Sequence, residues 1–353
     1  MDEETRDRRD GCHTFINGDG LVGPAEMLGS IGDQVVPDVY GDGGVVADLE
    51  STVAGLLGFP AAVFLPSGTM AQAAVLRVHA DERRRRTVLW HPMCHLATHE
   101  GDAYSRVHGL TGRSVGQRNR LLTRDDLDGV PEPVGAVLWE LPQRDLGGQL
   151  PDWDDLVDQV GWARGRGAAA HLDGARLWEA SAGYDRPLSE IAGLFDTVYV
   201  SFYKGIGALP GCCVVGPQPT VDQVREWRQR LGGTLFAMWP AAASALNALP
   251  ERLADMPARL THARAIAAVL ADVPGMRVLP DPPQTPMMHL LFEVSEDRFT
   301  ANARRLADDG IWVWPKPMPT DDPNVVRCEL SVGRATCRLD PRQVADILQT
   351  LCA

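Results

Sequence analysis

An aspartate and a lysine in this chain stand where two apolar strands are predicted to end. Asp173 closes the run Ala168–Leu172, and Lys204 stands just past the run Asp196–Ser201, 31 positions (204 − 173) further on. Parallel strands of an α/β sheet bring such residues together at their carboxyl ends, where the sites of these proteins usually lie. A lysine amine can form a Schiff base, and a carboxylate can keep a pyridine nitrogen protonated so that the ring withdraws electrons from Cα. The pair therefore predicts pyridoxal phosphate chemistry.

A third element upstream is typical of a phosphate site. The apolar strand predicted at Ala61–Leu65 is followed by Ser67, Gly68 and Thr69, and then by a helical run to about His79. Backbone N–H groups, two hydroxyls and the helix dipole favour an anion at such a turn, and Gly68 lets the backbone approach it. Taken alone, the segment is also compatible with an ordinary Ser/Thr helix cap. The carboxylate and lysine downstream favour the phosphate cradle.

Together these segments resemble the threonine aldolase group of fold-type-I pyridoxal phosphate enzymes, within the wider β-eliminating lyase class. The resemblance runs from about Thr14 to the neighbourhood of Val326-Arg327 and so covers nearly the whole chain. It rests on the segments Gly32-Asp33, Asp38-Val-Tyr40-Gly41-Asp42, Phe64-Leu-Pro-Ser-Gly-Thr69, His171-Leu-Asp-Gly-Ala-Arg176 and Lys204-Gly-Ile-Gly. These motifs are specific for the family and not for the substrate.

The resemblance implies roles for three further residues around the cofactor and substrate. His95 matches the family histidine that stacks on the pyridine ring, with His91 and His99 as competing assignments. Arg176 belongs to the cofactor and substrate layer, or alternatively forms a structural ion pair. Arg327 matches the arginine that binds the substrate carboxylate as a bidentate fork.

Tyr40 corresponds to a tyrosine that, in this family, reaches the site of the neighbouring subunit, which implies a homodimer or homotetramer. Three departures put the substrate in doubt. The family's RSDT segment becomes Asn17-Gly-Asp-Gly20, and Tyr203 replaces the serine before the lysine. The family's ENTH segment becomes Glu140-Leu-Pro-Gln143, so that Gln143 or Arg144 replaces the histidine often assigned to the substrate β-hydroxyl.

Strand-like and helical segments alternate through the first two thirds of the chain. This alternation predicts an α/β fold, with a mostly parallel sheet and helices on both faces. The strands are expected at Ala61–Leu65, Thr87–Trp90, Val134–Glu140, Ala168–Leu172, Asp196–Ser201 and Cys212–Val215, and helices at Val45–Leu57 and Asp152–Arg166.

The last third of the chain has a different pattern of predicted helices and strands. Leu235 to about Asp272 is predicted to be helical and interrupted at its three prolines, Pro240, Pro250 and Pro257. Short strands then flank a helix at about Arg298–Asp308, which predicts a smaller α+β domain. The expected division is an N-terminal segment 1–30, a large cofactor-binding domain 31–245 and a small C-terminal domain 246–353.

The charge and residue composition of the chain bear on its binding partners, its location and its metal sites. A net charge of −13 argues against nucleic acid, and the one basic run, Arg83–Arg86, is best interpreted as a solvated loop. The charged N-terminus lacks the apolar core of a signal peptide, and no apolar run is long enough for a membrane, so we expect a cytoplasmic protein. The seven cysteines are expected to be free thiols. The cluster His91–His99 lacks a second ligand pair, so no zinc site is expected.

Three functions are compatible with these residues. The first is retro-aldol cleavage of an L-β-hydroxy-α-amino acid to glycine and an aldehyde, as the resemblance implies. The second keeps the cofactor but changes the step to β-elimination, racemisation or a specialised biosynthetic carbon–carbon bond reaction, and the altered ENTH segment favours it. The third is a non-catalytic protein that has retained the fold, against which the intact Lys204 and Asp173 argue.

Overall fold

The computed structural model of this protein describes residues 2–29, 31–32 and 34–352; Asp33, part of one motif above, lies outside them. The chain divides into two compact units. The larger unit comprises Pro24–Asp145 and Leu150–Ala254, and the smaller comprises Met1–Gly23, Leu146–Gln149 and Asp255–Ala353. The division at 30 and 245 stays a prediction. These units differ from it by grouping the first 23 residues with the C-terminal part.

The strands, numbered in chain order, are β1 (Thr14–Phe15), β2 (Ala61–Leu65), β3 (Thr87–Trp90), β4 (Thr111–Ser114), β5 (Ala136–Glu140), β6 (Ala169–Gly174), β7 (Thr197–Ser201), β8 (Cys212–Gly216), β9 (Met276–Leu279), β10 (Met287–Phe292), β11 (Ile311–Trp312), β12 (Met318–Pro319) and β13 (Val326–Ser331). Each strand predicted in the first two thirds of the chain is confirmed within two residues at either end.

The α-helices are α1 (Glu3–Asp10), α2 (Pro24–Gly29), α3 (Gly44–Leu57), α4 (Gly68–Arg83), α5 (His95–Thr98), α6 (Ala103–Arg106), α7 (Arg124–Asp128), α8 (Trp153–Gly165), α9 (Leu177–Tyr184), α10 (Leu188–Ala192), α11 (Gln218–Arg230), α12 (Trp239–Leu270), α13 (Glu296–Asp308) and α14 (Pro341–Gln349). Short 3₁₀ turns lie at Arg144–Leu146 and Thr336–Arg338. Within the described residues, no helix is both long and apolar enough to cross a membrane.

The larger unit is built on a mixed sheet with the strand order β2-β8-β7-β6-β5-β3-β4. The pairs from β4 to β7 are parallel, and β8 runs antiparallel to both of its neighbours. Every residue of β2, β6, β7 and β8 is buried, as expected for strands that helices cover on both faces. The predicted mostly parallel α/β sheet is confirmed.

The smaller unit contains the antiparallel sheet β12-β13-β10-β9 and the parallel pair β1-β11. Its strands pack with α13 and α14 around a core that includes Phe292, Phe299 and Leu348. The predicted α+β character of the C-terminal region is therefore confirmed.

Two local predictions were wrong or incomplete. The segment predicted to break at three prolines forms one continuous helix, α12, with Pro250 and Pro257 in its interior. A proline removes only its own N–H from the helix, so the flanking turns can keep their hydrogen bonds where tertiary packing favours the helix. Strand β4 was not predicted because its sequence, Thr-Gly-Arg-Ser, has no apolar alternation. It lies at the edge of the sheet, where packing demands less of its side chains.

Candidate active site

The functional site lies in the larger unit, in a cavity of about 190 Å³ at the carboxyl edge of the parallel strands. Strand β6 brings Asp173 to this edge, the turn after β7 brings Lys204, and the start of α4 lies opposite. Of the residues that the sequence singled out, the cavity is lined by Ser67, Gly68, Thr69, His95, Asp173 and Lys204. The structure thus brings together residues from four separate segments of the chain.

Asp173 and Lys204 influence each other's protonation inside this cavity. Burial raises the pKa of Asp173, and the nearby lysine charge opposes that shift. Burial likewise lowers the pKa of Lys204, and the Asp173 carboxylate opposes it. A lysine with a lowered pKa has a larger fraction of neutral, nucleophilic amine at neutral pH. Asp173 keeps one carboxylate oxygen, Oδ1, on the backbone N–H of Ala175 at 3.0 Å, which fixes the orientation of the carboxylate.

The turn that carries Lys204 is held by its neighbours. Ser201 donates its hydroxyl to the carbonyl of Ala175 at 2.8 Å, and its own carbonyl accepts a hydrogen bond from the indole of Trp178. The residue after the lysine is closely packed, because a Cβ on Gly205 would meet the carboxylate of the buried Glu179. The Lys204 side chain therefore leaves a turn that is fixed on both sides.

The predicted phosphate cradle is the N-terminus of α4. Ser67 occupies the N-cap position with extended backbone but makes no side-chain capping bond to the described residues. The alternative of an ordinary Ser cap is therefore not realised, and the hydroxyl is available to a ligand. The structure gives a second reason for glycine at position 68, besides the close approach of an anion. A Cβ there would overlap the Tyr199 hydroxyl and lie 3.0 Å from the Cζ atom of that ring.

Among the three candidate histidines, His95 is the one whose side chain lines the cavity. Its Nδ1 lies 2.9 Å from Oε1 of Glu100, whose side chain is only 2% exposed. This hydrogen bond is the main cause of a raised pKa of His95. His91 instead places Nε2 at 2.9 Å from two backbone carbonyls, those of Gln117 and Arg120. His99 is exposed and lies 3.9 Å from a carboxylate oxygen of Asp145.

Glu140 organises the segments around His95. Its two carboxylate oxygens accept hydrogen bonds from the backbone N–H groups of His95 and Arg144, each at 3.1 Å. Glu140 is also the register partner of Asp173 on the neighbouring strand. Burial, followed by the charge of Asp173, raises the pKa of Glu140 to about 7. The carboxyl groups of Asp173 and Glu140 are thus adjacent and buried, so their negative charges would repel each other. A cationic ligand nearby would favour the ionised form of both.

Four other predicted residues are not among the described residues that line this cavity. Gln143 is buried and donates its amide to the carbonyl of Met93 at 3.2 Å. Arg144 pairs with Asp145 at 3.6 Å. Arg176 precedes α9 and is near enough to lower the pKa of Lys204. Tyr40 is 55% exposed and has its ring edge-on to Phe236.

Arg327 lies on β13 of the smaller unit, half-buried, with its Nη2 4.0 Å from the sulfur of Met318. Its Nε is buried and has no hydrogen-bond partner among the described residues. Such a donor is costly unless a ligand or water satisfies it. A carboxylate is the anion whose geometry matches a guanidinium fork.

Three polar residues that line the cavity were given no role from the sequence, namely Gln72, Glu100 and Tyr199, and Tyr203, singled out only as the residue before the lysine, lines it as well. Tyr203 is half-exposed and hydrogen-bonds to the buried Tyr199, which is the register partner of Asp173 on the adjacent strand. The period-two alternation of β7 indicates that Tyr199 shares a face with Ser201. Only the register between β6 and β7 could place it opposite Asp173.

Comparison with known proteins agrees with this geometry. The β-eliminating lyase family model matches residues 27–293. A low-specificity L-threonine aldolase of Arabidopsis thaliana is 29% identical over 79% of this chain and 80% of its own length. A solved Listeria monocytogenes protein, proposed to be an L-allo-threonine aldolase, is 34% identical, with a TM-score of 0.93 and 98% of both chains covered. A threonine aldolase of Leishmania major shares the fold at 17% identity, with a TM-score of 0.74 over 96% of this chain and 98% of its own.

The architecture is that of the fold-type-I pyridoxal phosphate enzymes. Within that class, the chain belongs to the β-eliminating lyase family. The predicted enzyme class, a lyase, and the predicted cofactor, pyridoxal phosphate, are confirmed by this membership.

Proposed function

We propose that this enzyme cleaves the Cα–Cβ bond of an L-β-hydroxy-α-amino acid and releases glycine and an aldehyde. The observation that carries the proposal is the pair of His95 and the buried Glu100, which points a partly exposed imidazole into the cavity that also holds Lys204 and Asp173. The names of the Arabidopsis and Listeria relatives support the same reaction.

The residues of the cavity fit the cofactor. Lys204 would bind its aldehyde carbon, Asp173 would face its ring nitrogen, and Ser67, Gly68 and Thr69 would hold its phosphate. A protonated ring nitrogen is the cation that the buried Asp173 and the neighbouring Glu140 need for a favourable environment. When bound, pyridoxal phosphate supplies an electron-withdrawing ring that stabilises negative charge on Cα.

His95 would act as the base for the substrate hydroxyl. Its Nδ1 is held by Glu100, so the N–H lies on that nitrogen and Nε2 is left as the proton acceptor. As the β-hydroxyl proton moves to Nε2, the Cα–Cβ bond breaks, the carbonyl of the aldehyde forms and the bonding electron pair stays on Cα. The imidazolium then returns a proton to Cα, which completes glycine and restores neutral His95. The Glu100 carboxylate stabilises the imidazolium that forms in between.

Two binding roles complete the proposal. Arg327 would hold the substrate carboxylate, which is supported by its buried and unsatisfied Nε, with Arg176 as the alternative. The enzyme would act as a homo-oligomer. The exposed rings of Tyr40 and Phe236, together with the exposed side chains of Val36, Val39 and Leu235, support a subunit contact at this surface.

A second candidate reaction is β-elimination, racemisation or a specialised carbon–carbon bond step on another amino acid. It is favoured by Gln143, whose side-chain amide donates to the carbonyl of Met93 and which is not among the described residues that line the cavity.

The experiment is to incubate the cofactor-loaded enzyme with L-threonine, L-allo-threonine, L-serine and β-phenylserine, and to quantify glycine, aldehyde, 2-oxo acid and ammonia. Equimolar glycine and aldehyde are expected from at least one β-hydroxy amino acid, and none from a Lys204→Ala control. Ammonia and a 2-oxo acid without glycine would replace the proposal with β-elimination. Loss of optical activity without either product would indicate racemisation.

A further inference from the structure

A series of hydrogen-bonded, buried polar side chains joins two positions of helix α4 through strands β6 and β7 and ends at the cavity. Nε2 of His79 lies 2.7 Å from the hydroxyl of Thr197, and that hydroxyl lies 2.8 Å from Nδ1 of His171. Nε2 of His171 in turn lies 2.7 Å from Oε1 of Gln72. All four residues are at most 2% exposed, so each hydrogen bond is shielded from water. We call this set the Gln72–His79 chain.

The direction of these hydrogen bonds follows from their end groups. Oε1 of Gln72 can only accept, so His171 carries its proton on Nε2 and presents Nδ1 as an acceptor. Thr197 then donates its hydroxyl to His171 and accepts from Nε2–H of His79. Burial lowers the pKa of His171 to about 3, which keeps the ring neutral as this pattern requires. At the far end, Nδ1 of His79 lies 3.5 Å from a guanidinium nitrogen of Arg83 and 3.6 Å from a carboxylate oxygen of Glu82.

The Gln72–His79 chain ends at the cavity with a hydrogen-bond donor that has no partner among the described residues. Nε2 of Gln72 is buried and has no hydrogen-bond partner among the described residues, and Gln72 lines the cavity with Asp173 and Lys204. His171 stands two residues before Asp173 on β6, so both side chains lie on the same face of the strand. Gln72 lies one helical turn beyond Thr69 on α4. The amide N–H₂ is therefore fixed in orientation by His171 and is available at the cavity.

We propose that Gln72 is a cofactor-binding residue whose side-chain amide donates a hydrogen bond to an acceptor atom of bound pyridoxal phosphate. His171 orients that amide by donating Nε2–H to its Oε1, a hydrogen bond that does not involve Thr197 or His79. An unpaired buried N–H₂ group destabilises the protein, so a hydrogen bond to the cofactor adds binding affinity. Because the amide is already oriented, little side-chain entropy is lost when this bond forms.

The test is titration of the apoenzyme with pyridoxal 5′-phosphate, with the dissociation constant measured by equilibrium dialysis. Gln72→Met preserves the side-chain volume and removes the donor, so the Kd should rise about three- to tenfold. Thr197→Val is the matched control, because it breaks the same buried chain away from the cavity. It should lower the stability of the apoenzyme while changing the Kd less than about twofold.

A purely structural role of Gln72 predicts a different pattern. Both variants would then lose stability, and neither would bind the cofactor more weakly than the wild type. If Gln72→Met does not fold, Gln72→Asn keeps an amide in the core but withdraws the N–H₂ by one methylene, and it too should raise the Kd. A folded Gln72→Met or Gln72→Asn apoenzyme with wild-type Kd overturns the proposal.

Discussion

Gly68 is the residue for which sequence and structure give different reasons, and a double-mutant cycle separates them. The sequence explains this glycine by the approach of an anion. The structure adds a collision, because a Cβ at this position would overlap the Tyr199 hydroxyl and lie 3.0 and 3.4 Å from its Cζ and Cε2 atoms. Tyr199 is 3% exposed and lies on β7, which is paired with β6 and β8 on its two sides. The ring therefore has little room to move.

The expected cost follows from this geometry. To restore ordinary van der Waals contact, the phenol or the first turn of α4 must shift by about 1 Å, and overpacking of this kind costs about 1–3 kcal/mol. Gly68→Ala should therefore destabilise the apoenzyme by that amount in urea unfolding and weaken pyridoxal phosphate binding, because the cradle moves. Tyr199→Phe removes the colliding oxygen, so the double variant should recover at least about 1 kcal/mol relative to the sum of the single variants.

The outcome decides between the two explanations. If the free energies of Gly68→Ala and Tyr199→Phe are additive, the phenol does not impose glycine at this position. If the double variant instead recovers stability but still binds the cofactor weakly, the anion requires the glycine as well. If unfolding is not two-state, the urea midpoints of the variants are compared in place of their free energies of unfolding.

Three further predictions concern single residues. Asp173→Asn should still bind the cofactor but lower carbanion-forming turnover by orders of magnitude, as measured by glycine release and by hydrogen exchange at Cα; near wild-type rates would mean that another acid holds the ring nitrogen. Arg327→Lys keeps the charge but loses the fork, so KM for the amino acid should rise about tenfold or more with little change in cofactor Kd; a normal KM for every substrate would leave Arg176 as the carboxylate ligand. Glu140 has a pKa of about 7 in the folded protein against an ordinary 4.5. Because the folded state then binds the proton more tightly, the Glu140 contribution to apoenzyme stability should fall by about 3 kcal/mol as pH rises from 4.5 to 7, so Glu140→Gln should gain that much stability relative to the wild type over this range; an unchanged difference between the two proteins would contradict the assignment.

The convergence of the catalytic segments was predictable because it depends on topology. An apolar run followed by a polar residue fixes where a buried strand ends, and parallel strands end at the same edge. Asp173, Lys204 and the turn at Ser67 were therefore brought together by reasoning on strand ends alone. His95 came from the family resemblance, because the short helix α5 that carries it has no periodic signal of its own.

What escaped prediction depends on register and long-range packing. The position of Tyr199 opposite Asp173 follows from which residues of β6 and β7 are paired, which no local pattern encodes. The continuity of α12 through Pro250 depends on tertiary packing that outweighs the local propensity. The pairing of Thr14 with Ile311 places the N-terminal residues in the C-terminal unit, and a two-residue strand is too short to reveal that in sequence.

The hydrogen-bond partners of each polar atom show which residues of the family motifs support the fold and which face the cavity. The motifs alone do not make this distinction. Asp38, the first residue of one family motif, has Oδ1 on the N–H groups of Met238 and Trp239 and Oδ2 on that of Gly41. It therefore holds the start of α12 and the turn that presents Tyr40. Ser201, three residues before Lys204, likewise donates its hydroxyl to a carbonyl. The amide of Gln72 lies in no predicted site, yet its N–H₂ remains unpaired beside Asp173 and Lys204. A group whose hydrogen bonds are all made within the fold is explained by the fold, and a buried donor without a partner at a cavity calls for a ligand or a water.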